Sequence, residues 1–134
     1  MNAPLDEWIA KAEGDAASAN REWRARKRPN YDSACFHAQQ CVEKYLKAAL
    51  VHRAIHFPKV HDLETLLDLC LAPYPLWEAM RQDLQLLTQY AVQFRYPGEN
   101  ADKEDARKAV AAMKRSCVTI QTALPHFGSK ENTP

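Results

Sequence analysis

The sequence predicts an all-α protein, an up-down bundle of about five helices. Three observations carry this. Apolar residues recur at helical spacing in five segments, and no segment alternates apolar and polar residues over the length of a strand. Eight Pro and only three Gly fit long helices with hard stops. The connections are short, which places successive helices side by side.

The first helix is expected over 5–27, with Pro4 at its start. Leu5, Trp8, Ile9, Ala12, Ala16, Ala19 and Trp23 form its stripe, and Pro29 stops it. The second is expected over 31–55, capped by Asn30 or Asp32 and ended before Pro58. Ala34, Ala38, Cys41, Val42, Tyr45, Leu46, Ala48 and Ala49 share a broad face whose small residues admit a close neighbour. Glu43 and Lys47, four residues apart and off that face, read as a solvated ion pair. The third helix, over 62–71, takes Asp62 as its cap, with Leu63, Leu66, Leu67 and Cys70 facing inward. The fourth, over 75–95, lines up Leu76, Met80, Leu84, Leu87, Ala91 and Phe94 before the turn signal Pro97-Gly98. The fifth, over 102–124, is capped by Asp102 and buries Ala106, Ala109, Val110, Met113, Cys117, Ile120 and Leu124.

At 134 residues the chain predicts a single domain over 1–127, followed by a flexible tail over 128–134. A net charge of +1 names no partner, so any basic patch is local. The opening segment has no basic stretch followed by an apolar core, so no signal peptide is expected. No apolar run reaches the roughly 20 residues that span a bilayer, so no membrane association is expected. Cys35, Cys41, Cys70 and Cys117 form no C-x-x-C pair and read as reduced core residues of a cytoplasmic protein.

Several candidate sites follow from residue chemistry. His37, Gln40 and Lys44 recur at i, i+3, i+7 and make a polar seam beside the apolar face of the second helix. The seam is either a wet bundle edge or a binding surface for an anion or nucleotide. The run REWRARKR holds Arg21, Arg24, Arg26, Lys27 and Arg28 around Trp23, a footprint suited to a phosphate backbone and also to a solvated helix end. His52 and His56 share a face but lack a third ligand, so no metal site is expected. A Gly-rich phosphate loop, a nucleophile elbow and a paired-carboxylate constellation are all missing from the sequence.

Three stretches, in order, carry a family resemblance: YDSACFHAQQCVEKYLKAAL, PKVHDLETLL and QFRYPG. They resemble the HEPN (higher eukaryotes and prokaryotes nucleotide-binding) domain family over essentially the whole folded chain. The resemblance implies a helical bundle that forms a homodimer and binds nucleotide or RNA. It also implies a minimal nucleotidyltransferase partner in a toxin–antitoxin-type unit. The ligand set it points to is His37, Gln40 and Lys44 with His61, Arg95 and Tyr96, of which His37, Lys44, His61 and Arg95 are expected to converge on one pocket. Asp62 and Arg95 also have a structural reading, as cap and helix-end cation.

The family's ribonucleases carry an Arg and, about four to six residues on, a His that acts as general acid or base without metal. No His here has an Arg at that spacing; only Lys47 precedes His52 in that way. No catalytic residue and no cofactor are therefore expected. The alternatives are a metal-independent endoribonuclease toxin and a dimerising scaffold with a decayed site.

Overall fold

The structure is a computed structural model that describes residues 4–125. Five helices make up the bundle: α1 Leu5–Arg24, α2 Tyr31–His52, α3 Leu63–Cys70, α4 Arg81–Gln93 and α5 Lys103–Gln121. No strand occurs among the described residues. The expected tail over 128–134 lies outside them.

The caps act locally. The Asn30 side chain accepts from the Ser33 N–H, Asp62 accepts from Thr65, and Asp102 forms a reciprocal capping box with Asp105. Besides α5, which stops at Gln121 rather than Leu124, the helix ends correct three expected boundaries. α1 stops at Arg24 rather than Lys27. Pro29 has no N–H to give the Ala25 carbonyl, and its ring would clash with that carbonyl in a continued helix. α2 stops at His52 rather than Ile55 in a Schellman turn: Ile55 N donates to Leu50 O at 2.9 Å and Ala54 N to Val51 O at 3.0 Å. Ala54 holds the left-handed position of that turn at φ 56°. The strain of roughly 1–2 kcal/mol exceeds the entropic cost of glycine, about 0.5–1 kcal/mol. Ala54→Gly is therefore expected to stabilise the fold by about 0.5–1 kcal/mol, measured as a raised urea midpoint.

The third correction is one of phase. Pro75–Met80 is a 3₁₀ helix, and α4 begins only at Arg81. At three residues per turn, Trp77 falls directly in line with Met80, and Leu76 is rotated outward. Trp77 is accordingly buried, while Leu76, expected on the inner stripe, is 87% exposed.

α2 is the axis of the bundle and packs against the other four helices. Ala38, Cys41, Val42, Leu46, Ala48, Ala49 and Leu50 along it are fully buried. All four cysteines are free and buried. Cys117 faces Cys41 across α2 and α5 with the sulfurs 3.4 Å apart. Burial pushes the Cys35 and Cys70 thiols up to about 12. The hydrogen bond with Cys117, then burial, raises Cys41 further still. Thiolate is the reactive form. None of the four thiols is expected to react with Ellman's reagent in the folded protein, and all should react after unfolding in guanidinium. Rapid modification under native conditions would contradict the packing.

Candidate functional site

The polar residues of α2 leave the helix in three directions. His37 and Lys44 face α1, where both meet Asp15. His37 Nδ1 lies 2.7 Å from Asp15 Oδ1, and Lys44 Nζ donates to Oδ2. Asp15 is itself buried, within the stripe of α1 that includes Ala12 and Ala19. It draws two cationic or titratable groups onto one carboxylate.

Gln39 and Gln40 face α4 and the start of α3. Gln40 Nε2 donates to Gln39 Oε1 at 2.9 Å, and Gln39 Nε2 reaches toward the His61 carbonyl at 3.5 Å. With Phe36, His61, Thr88, Val92 and Arg95 they line a groove of about 470 Å³. Phe36 and Val92 are exposed at its edge. The side chain of Arg95 makes no hydrogen bond or ion pair among the described residues, although its backbone N–H closes the end of α4 on Val92 O at 3.3 Å.

Glu43 and Lys47 point into the protein. This corrects the solvated pair expected from their spacing. They are only 3% and 6% exposed, because α2 is enclosed on more than its Ala-rich face. Lys47 Nζ donates to Glu43 Oε2 at 3.0 Å and sits 5.5 Å from the centre of the Trp8 ring. His61 Nδ1 reaches the same carboxylate oxygen, also at 3.0 Å.

The structure thus distributes the expected ligand set. Gln40, His61 and Arg95 line one groove. His37 and Lys44 are paired with Asp15, and Lys44 borders a different, shallower groove that includes Lys11 and Ser18. Tyr96 is exposed in the turn after α4, outside the groove lining. Of the basic run, Arg24 and Arg26 line a separate groove of about 610 Å³ with Trp23, Tyr31 and Lys103, while Arg21, Lys27 and Arg28 stay outside its lining. Asp62 acts as the α3 cap, accepting from Thr65 N and Oγ1 at 3.2 and 2.6 Å. No group of three metal-ligating side chains comes together among the described residues.

Sequence reading did not single out Asp15, Phe36 or Gln39. Asp15 had a visible signal: it lies three residues after Ala12 and four before Ala19, on the buried stripe of α1.

An all-α bundle with an axial helix carrying this polar seam defines the class. The family model of the HEPN domain matches residues 5–119, and the chain belongs to the HEPN domain family. In fold it is similar to an archaeal HEPN homologue known from a crystal structure, with a TM-score of 0.68 and 23% sequence identity. That similarity covers 91% of this chain and 98% of the archaeal one. No curated protein matches the sequence. Among the described residues no helix is long and apolar enough to cross a membrane.

Proposed function

We propose that this HEPN protein binds a nucleotide in the α2–α3–α4 groove, as a homodimer that works with a minimal nucleotidyltransferase in a toxin–antitoxin-type unit. The observation that carries the reading is Arg95: a guanidinium without an internal partner among the described residues, on a groove that also presents an aromatic ring and a side-chain amide. A guanidinium takes phosphate by charge-assisted hydrogen bonds. An exposed aromatic ring stacks on a base. The Gln40 amide offers both a donor and an acceptor to a base edge. Exposed Val92 and Tyr96 near the groove supply apolar surface that a two-fold interface covers.

Calorimetric titration of AMP, ADP and ATP tests the site. Arg95→Ala is expected to weaken binding roughly ten- to a hundredfold, the value of one lost charge-assisted contact. Lys44→Ala is expected to leave affinity unchanged, since Asp15 already holds that ammonium. Equal binding, or none, in all three proteins would refute the site. Light scattering that gives a monomer near the 15.3 kDa chain mass would refute the homodimer.

The Trp23–Arg24–Arg26–Tyr31–Lys103 groove supports a second contact, to an RNA backbone, because it combines cations with aromatic faces. Each phosphate contact on a single strand adds about 0.7 to the slope of log affinity against log salt. Arg24→Ala/Arg26→Ala should reduce that slope by about 1.4 for a short RNA. An unchanged slope removes this contact. Cleavage of the RNA in the presence of a chelator would favour the ribonuclease reading instead.

A further inference from the structure

Beneath the nucleotide groove lies an arrangement that the binding reading does not use. Glu43 is almost wholly buried, and a single oxygen, Oε2, meets both Lys47 Nζ and His61 Nδ1, each at 3.0 Å. His61 is the opposite in exposure: its side chain is 81% exposed at the edge of the groove. The ring therefore bridges a buried carboxylate and the ligand space.

This geometry fixes the tautomer. Nδ1 can hydrogen-bond to an ionised, acceptor-only carboxylate only by carrying the proton. A neutral imidazole has one such proton, so Nε2 is left as an acceptor. A neutral histidine free in water favours the other form, with the proton on Nε2. Lys47 holds the same oxygen from inside, and the Trp8 ring lies against Lys47, so the carboxylate has little freedom to turn away. The backbone holds His61 as well. It directly precedes Asp62, whose carboxylate is committed to capping α3.

We infer that Glu43 is a positioning residue that locks His61 with its proton on Nδ1 and presents Nε2 to the groove as an acceptor for a sugar hydroxyl. The inference rests on the nucleotide reading and narrows it to nucleotides with a free sugar hydroxyl. Arg95 is the group suited to phosphate. An acceptor nitrogen repels phosphate oxygens and matches a hydroxyl donor, and ribose is the part of a nucleotide that supplies one.

The lock is tested without ligand. Long-range proton–nitrogen NMR at roughly pH 8.5, about two units above the ordinary histidine value, reports which ring nitrogen carries the proton. His61→Ala assigns the signal. The wild-type ring is expected to be protonated on Nδ1. In Glu43→Leu/Lys47→Met, which removes both buried charges together and so spares the fold, the ring should revert to the Nε2–H form. A wild-type ring already in that form, or a tautomer unchanged in the double variant, overturns the lock.

The hydroxyl contact is tested by titrating AMP and its 2′,3′-dideoxy analogue. Wild type should prefer AMP by about tenfold, the worth of one neutral hydrogen bond at the upper end of its range. His61→Ala and the double variant should bind the two alike. Equal affinities in wild type overturn the hydroxyl contact. A locked ring in a protein that binds neither nucleotide overturns the nucleotide reading and the hydroxyl contact with it, and leaves the positioning of His61 by Glu43 standing.

Discussion

Lys47→Met is expected to cost about 3–5 kcal/mol of stability, the loss incurred when one partner of a buried ion pair is removed. The size of the effect comes from what is left behind. Glu43 stays 3% exposed, with Oε1 already lacking a hydrogen-bond partner among the described residues. Oε2 would keep only the His61 ring. The ammonium sits in the interior beside Trp8, so the methionine replaces its volume but not its charge. Glu43→Leu/Lys47→Met is expected to recover most of the loss, since an apolar pair of similar volume needs no desolvation. Urea denaturation of the three proteins gives the answer. A cost below about 1 kcal/mol for Lys47→Met would mark the pair as solvated, as an exposed i,i+4 contact would be. Ion pairs elsewhere in the molecule, such as Arg115 with Asp83 at 2.9 Å, are largely open to water and should add little.

The same pair shows what could be read in the sequence and what could not. The four-residue spacing of Glu43 and Lys47 announces the contact, because helix geometry fixes it. Their burial depends on how many neighbours α2 has, and a helical wheel knows nothing of neighbours. Asn30, Asp62 and Asp102 were legible as cap candidates because a cap bonds to a backbone N–H only two or three residues ahead. Trp77 and Leu76 were not, because two turns of 3₁₀ helix rotate the stripe and leave no mark in composition. His37 and Lys44 share a face of α2, which their spacing shows. Their common partner Asp15 lies 22 and 29 residues upstream, and only the packing of α1 on α2 brings it there. Arg95 and His61 reach one groove for the same long-range reason. The ends of α4 and the start of α3 converge on α2, and no local pattern encodes that meeting.

The largest coupled effect is expected at Leu67. Its side chain is fully buried on α3, a helix of eight residues. A helix so short does not hold in water by itself, so α3 persists through its apolar face and its outer contacts. Leu63, Leu66, Leu67 and Cys70 supply that face. On the outside, Arg81 ties the helix to α4 through Glu64 at 3.0 Å and Asp68 at 2.6 Å, contacts open enough to water to count for little alone. Leu67→Ala therefore removes a main anchor and is expected to cost about 2–5 kcal/mol. The loss should fall first on α3, seen as faster amide exchange of its residues than of α2. Because His61 and Asp62 lie at the N-terminal edge of α3, the groove loosens with it, and AMP affinity should drop. Ile120→Ala on α5 provides the control. It opens a comparable buried site away from the groove lining, and should lower stability without weakening AMP binding. Equal losses of affinity in the two variants would mean that the groove depends on the stability of the whole bundle; a loss confined to Leu67→Ala would tie ligand binding to the seating of one short helix.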